Sequence, residues 1–198
     1  MKNALIYQSS EFDCGPTTLT NAMRFLFDRE EIPPALLRGI WHYCNDTYNE
    51  QGEAGKHGTS KACIRFLADW LNGFAQGCHF PLRAAFADGE GADIAEGCPA
   101  VRCLEDGGAV LMRCWLEGYG HYILLTGLTE HGVALFDPYE EPDRALDADI
   151  LLVDGQPRRM NRIVPMARLN ASGKEDYNAG DNDRREVLML WRDERVLA

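Results

Sequence analysis

Cys14 lies in the string Phe12-Asp13-Cys14-Gly15-Pro16, where the spacing of Leu19, Ala22, Met23 and Leu26 opens an amphipathic helix. Unpaired N–H groups and the dipole at a helix start favour a thiolate over a thiol. Gly15 permits close backbone approach there, and Pro16 gives up an N–H that has no helical partner. Gln8 stands six residues before Cys14. Its amide can donate to an oxygen that becomes negative when a thiolate attacks a carbonyl, with the Cys14 N–H as a second donor. Each residue also has a plainer reading. Most cysteines simply pack, and a loop glutamine is usually solvated.

His121 opens the run His121-Tyr122-Ile123-Leu124-Leu125, directly after Gly118-Tyr119-Gly120. Asp137 closes Val133-Ala134-Leu135-Phe136, ahead of Pro138. An imidazole can take a thiol proton and return it to a leaving group, while a carboxylate holds the ring in one tautomer and stabilises its cation. With Thr129 to Gly132 as the turn, both residues fall near one open end of a hairpin. Strand parity decides whether they share a face. A four-residue loop sets Asp137 opposite Leu124, on the wrong face. A three-residue loop or a one-residue bulge sets it opposite Ile123, on the face of His121. The turn sequence allows either. A strand-end histidine bonded to backbone and a turn aspartate before proline are the alternatives.

The elements that must position these residues begin with helices. Leu36, Leu37, Ile40, Trp41 and Cys44 mark a second helix behind Pro33-Pro34, and Thr59 or Ser60 caps a third carrying Cys63, Phe66, Leu67 and Trp70. Aromatic residues at this spacing are expected in the core. A short helix starts at Pro99 and stops at Gly107-Gly108. Strands follow over 109–115, 121–128 and 133–136, with further extended runs over 162–169 and 186–191. Between those last two, Asn170 to Asp183 is polar except for Ala171, Tyr177 and Ala179, and is expected to be a mobile loop. Helices first, then an antiparallel sheet, make an α+β layout around one core. The 198 residues suit a single domain spanning 1–198.

Composition narrows the functional classes. Apolar residues make up 45% and charged residues 26%, as in soluble globular proteins. A formal charge of -11 argues against nucleic-acid binding, which needs clustered Lys and Arg. The segment MKNALIYQSS lacks the apolar core of a secretory signal, and no run approaches the ~18 to 20 apolar residues of a membrane helix. No membrane segment and a cytoplasmic location are expected. Seven scattered cysteines suit a reducing compartment, with Cys44, Cys63, Cys78, Cys98, Cys103 and Cys114 as packing residues. His42, Cys44, His57 and Cys63 lack a zinc-finger spacing, as does the Cys78-His79 pair, so neither metal nor cofactor is expected. The Gly-rich stretch Asp88 to Gly97 is set aside as a phosphate loop, because no strand is expected before it and no Lys-Ser/Thr follows. His57, ahead of Gly58-Thr59-Ser60, either borders a cleft or is an ordinary loop histidine.

Taken together, Gln8, Asp13-Cys14-Gly15-Pro16, Gly120-His121-Tyr122 and Asp137-Pro138 resemble the bacteriocin-processing peptidases. These are papain-like cysteine proteases that cut leader peptides after a double glycine. The resemblance covers about 7–28 and 107–138 most closely. It implies a papain-like fold with Cys14 as nucleophile, His121 as base, Asp137 as orienter and Gln8 as oxyanion donor. It implies a peptide or protein substrate, a core over about 1–142 and a C-terminal extension over 143–198 that adds strands. The best-known members are N-terminal domains of membrane transporters; no transporter domain is expected in this chain, so the double-glycine substrate does not carry over. Peptide or amide hydrolysis through a Cys14 thioester is the expected reaction. Acyl or peptidyl transfer is the same-fold alternative, and a non-catalytic peptide-binding module is the alternative of another class.

Overall fold

The helix predicted behind Cys14 spans Cys14–Leu26 (α1) and is buried along most of its length. The computed structural model describes residues 3–140 and 146–197; Met1, Lys2 and the expected 142/143 boundary lie outside the described residues. Pro33 and Pro34 start α2 (Pro34–Tyr43), and Ser60 caps α3 (Lys61–Cys78) by accepting the Cys63 N–H at 3.1 Å. Pro99 starts α4 (Pro99–Glu105). The strands are β1 (Leu82–Asp88), β2 (Ala109–Leu116), β3 (Tyr119–Thr129), β4 (Gly132–Phe136), β5 (Leu151–Leu152), β6 (Arg162–Val164) and β7 (Glu186–Arg192). They form one antiparallel sheet in the order β1-β7-β2-β3-β4-β6-β5. The α+β class is as expected.

The layering differs from the expected single core. Along β3, Tyr122 and Leu124 pack with α1 to α3, whereas Ile123 and Leu125 pack on the opposite face with residues of α4 and with Leu169, Tyr177 and Ala179. Both sheet faces are therefore covered. This explains why β2 to β4 read as continuous apolar runs rather than alternating ones.

Four other expectations are corrected. β1 was not foreseen, since Ala84, Ala85 and Ala87 favour strands weakly; its seven pairs with β7 supply what propensity does not. Because β1 leads directly into Gly89, the absence of a preceding strand is no reason to set aside the Asp88–Gly97 stretch; the absence of Lys-Ser/Thr still is. The 162–169 run breaks at Pro165 into β6 and a short helix, α5 (Met166–Leu169). Trp41 and Phe66 are 41% and 47% exposed, so aromatic residues at helical spacing are not all core here.

Two C-terminal features depart from the picture of an appended extension. β7 lies between β1 and β2, with Leu188 and Leu190 buried in the helical-side core. The 170–183 segment is also pinned at its centre. Tyr177, Asn178 and Ala179 are buried, the Tyr177 N–H donates to the Trp115 carbonyl at 2.8 Å, and the Trp115 N–H donates to the Asn178 carbonyl at 2.8 Å. Among the described residues, no helix is long and apolar enough to cross a membrane, and no cluster of three or more His, Cys, Asp and Glu could hold a metal ion.

Candidate active site

Cys14 occupies the first turn of α1, where backbone N–H groups have no helical acceptor. Gly15 is required there by contact rather than by dihedral angle: a Cβ would sit 2.4 Å from the Thr59 hydroxyl. The Thr18 hydroxyl donates to the Tyr122 carbonyl at 3.0 Å, fixing α1 against β3 beside His121. The His121 Nε2–H donates to Asp137 Oδ1 at 2.7 Å, and the Cys14 side chain is near enough to the ring to help raise its pKa. With Nε2 committed to Asp137, Nδ1 is the nitrogen left for the thiol. The structure brings Cys14, His121 and Asp137 into one chain of contacts.

A bulge aligns the last two. β3 and β4 pair Thr129 with Gly132 and Leu128 with Val133, but from Leu125↔Leu135 the register has shifted, leaving Thr126 as the extra residue. Continuing from Leu124↔Phe136 sets Asp137 opposite Ile123, on the face of His121. Of the parity alternatives open in the sequence, the bulge is the one realised.

Asp137 is buried, and each of its polar groups has a partner. Oδ1 also accepts the Tyr139 N–H at 2.9 Å, and Oδ2 accepts the Tyr177 hydroxyl at 2.7 Å. Asn161 clamps the backbone: its Oδ1 accepts the Asp137 N–H and its Nδ2 donates to the Asp137 carbonyl, both at 2.8 Å. Burial pushes the carboxyl upward, but the His121 charge and these donors override it, holding its pKa below the usual range. For His121, burial lowers the pKa, yet the Asp137 carboxylate and the Cys14 contact raise it to about 10. The ring is thus an imidazolium at neutral pH. Neither Tyr177 nor Asn161 was singled out as a site residue from sequence. Tyr177 had stood out only as an apolar residue in a polar segment, and Asn161 carried no signal.

Gln8 is held by its backbone. Its N–H donates to the Pro138 carbonyl at 2.8 Å, and Asn21 of α1 bonds both the N–H and the carbonyl of Ile6 at 2.8 Å. This places the Gln8 side chain in the cleft lining with Cys14. One Nε2 hydrogen goes to the Ser10 carbonyl at 2.9 Å, leaving the second for another acceptor. The cleft has a volume of about 810 Å³. His57 borders it, which favours the cleft reading of that residue over an ordinary loop position.

Three of the other cysteines are held as thiols. Contact with Cys63 and burial raise Cys44, burial raises Cys114, and burial pushes Cys103 to about 12. Brief alkylation at neutral pH is expected to label Cys14 first, with the exposed Cys78 following. Peptide mapping that finds Cys44, Cys103 or Cys114 modified first contradicts this.

The raised His121 pKa also predicts a pH dependence of stability. A group whose pKa is higher in the folded state stabilises fully below its ordinary value, 6.5, and loses that contribution as pH rises to about 10. In Cys14→Ala, where no thiol titrates beside the ring and the Asp137 carboxylate is what raises it, the urea midpoint should fall as pH rises above 6.5, over a narrower window than in wild type. Adding His121→Gln should flatten the fall. Equal slopes in the two variants rule out the charged ring.

No family model matches this chain, and no curated protein matches it. Among solved structures it is similar to the crystal structure of the peptidase domain of Streptococcus ComA, a bi-functional ABC transporter involved in a quorum sensing pathway. That match is 14% identical, covers 96% of this chain and 98% of the other, and has a TM-score of 0.47. It is also similar to the peptidase domain of Streptococcus mutans ComA, at 13% identity over 94% of this chain and 98% of that one, with a TM-score of 0.42.

Proposed function

We propose that this chain is a papain-like cysteine hydrolase that cleaves a peptide or amide bond. The observation that carries the reading is the contact chain Cys14–His121–Asp137, which starts at a helix N-terminus and opens on a cleft. In this mechanism the Cys14 sulfur, as thiolate, attacks the substrate carbonyl carbon. The carbonyl oxygen takes up the negative charge between the Cys14 N–H and the free Gln8 Nε2 hydrogen. His121 then protonates the leaving nitrogen as the C–N bond breaks, giving an amine and a Cys14 thioester. Water adds to the thioester as His121 takes its proton. Collapse releases the acid and returns the proton to the Cys14–His121 pair. Asp137 stays ionised throughout and steadies the imidazolium.

The seven cysteines are free thiols, in keeping with a reducing, cytoplasmic setting. A peptide-library digest read by mass spectrometry, wild type against Cys14→Ala, tests the proposal. Cleavages present only with wild type support it; identical digests refute it. Products that carry an added amine instead of hydroxyl assign acyl transfer.

A further inference from the structure

The cleft wall beside His121 carries a cation that the chemistry above does not use. Arg113 on β2 pairs across the sheet with Tyr122, as Cys114 pairs with His121. Its guanidinium lies over the Trp115 ring at 4.5 Å, and the ammonium of Lys174 stands 4.8 Å from the same ring. Gly120 makes room for it, since a Cβ there would meet Arg113 Nη2 at 2.7 Å. The charge is therefore fixed across the start of β3, next to the residue before His121. Its buried Nη1 has no hydrogen-bond partner among the described residues. A buried guanidinium N–H without an acceptor is costly unless a ligand supplies one.

The neighbouring carboxylate does not meet that need. Continuing the β2–β7 register one step beyond Met112↔Val187 brings Glu186 opposite Arg113. Glu186 accepts the Tyr122 hydroxyl through Oε1; its buried Oε2, 4.0 Å from Lys61 Nζ, has no hydrogen-bond partner among the described residues and makes no hydrogen bond to Arg113, although the two charges attract. Lys61 itself donates to the Asp183 and Arg185 carbonyls, which carry no charge, at 2.7 and 3.2 Å. Burial raises the Glu186 pKa, which weakens its hold as a counter-charge. Being only 1% exposed, with Lys61 beside its second oxygen, it is not itself placed to receive a basic substrate group. The cleft lining sets Lys61, Arg113 and Arg184 beside Glu11, Glu117, Asp183 and Glu186, and Arg113 is the cation there whose buried N–H lacks an acceptor among the described residues.

We propose that Arg113 is a specificity residue that binds a carboxylate of the substrate, from an acidic side chain or from the chain terminus. This rests on the hydrolase reading of the same cleft. A planar fork suits a carboxylate through two parallel N–H donors, and stacking on Trp115 pre-orients it.

The test uses two arms. Peptidyl chloromethyl ketones that differ only in Glu against Gln, at each position in turn, are timed against Cys14. Peptide acids are compared with their amides for binding to Cys14→Ala by calorimetry. With Arg113 intact, the charged member should be preferred about tenfold or more in at least one arm, as a charge-assisted hydrogen bond implies. Preference in the first arm assigns a side chain, and in the second a chain end. Arg113→Gln should bring the ratio to about one, and Arg113→Lys should keep part of it, guarding against a variant that merely misfolds. Ratios within about twofold in every comparison with Arg113 intact overturn the proposal, as does a preference that persists in folded Arg113→Gln, made in the Cys14→Ala background for the second arm. A Cys14 that reacts with neither probe defeats the hydrolase reading instead, so the two failures are distinguishable.

Discussion

Cys14→Ala is expected to abolish turnover while leaving the fold intact, and His121→Ala to come close to it. Cys14 is buried but small, and alanine retains most of its volume at the head of α1. What disappears is the sulfur that forms the thioester, and no other cysteine lines the cleft. His121→Ala removes the acid that protonates the leaving nitrogen and the cation that stabilises the thiolate. It also strips the buried Asp137 Oδ1 of one donor, although the Tyr139 N–H remains. The variant should therefore lose some stability as well as activity, whereas Cys14→Ala should not. Gln8→Ala is the graded case. It removes one of two oxyanion donors and should cost on the order of 10²- to 10³-fold in kcat. Steady-state kinetics on peptides found in the library digest, with circular dichroism to confirm folding, give the order. A folded Cys14→Ala or His121→Ala with near-normal turnover sinks the mechanism. Full activity in Gln8→Ala sinks only its assignment as donor.

How much of this was legible depended on the range of the interactions. Cys14 and the start of α1 were readable because helix periodicity and a first-turn proline are local. The same holds for the strands on either side of His121. The facing of His121 and Asp137 was not readable, because it turns on one extra residue at Thr126. That bulge is held by strand pairing and by the Thr126 hydroxyl donating to the Ala134 carbonyl at 3.2 Å, not by a local signal. β1 and the central place of β7 were hidden for a similar reason. Each pairs with a strand far away in sequence, and the alanines of β1 advertise no sheet. Tyr177 is the clearest case. In a polar segment, low apolar content argues for mobility. One aromatic residue, held at φ 66 and bonded to Asp137, anchors the segment against the site instead. A bulky side chain in that left-handed region is sustained only by tertiary contacts, which sequence does not display.

The Asp137 network separates charge from packing, and two substitutions should divide them. In Asp137→Asn the amide oxygen can accept from His121 Nε2 and the Tyr139 N–H, as Oδ1 does now. The amide nitrogen then faces the Tyr177 hydroxyl, which can turn and accept. Each hydrogen bond has a counterpart, although the second amide N–H and the Tyr177 hydroxyl proton go without one, so the fold should hold at some cost in stability, but the charge that raises His121 is gone. The imidazolium loses its counter-ion, and kcat should fall on the order of 10²- to 10⁴-fold with KM little changed. Tyr177→Phe does the reverse. The carboxylate and its charge stay, while buried Oδ2 loses its donor, which costs about 1 to 3 kcal/mol of stability. Kcat should fall far less than in Asp137→Asn, since His121 keeps both its partner and its cation. Urea unfolding and kinetics on the same two preparations read the split. If Asp137→Asn unfolds easily but turns over normally, the aspartate is a structural residue, and the His121 contact has no part in the chemistry.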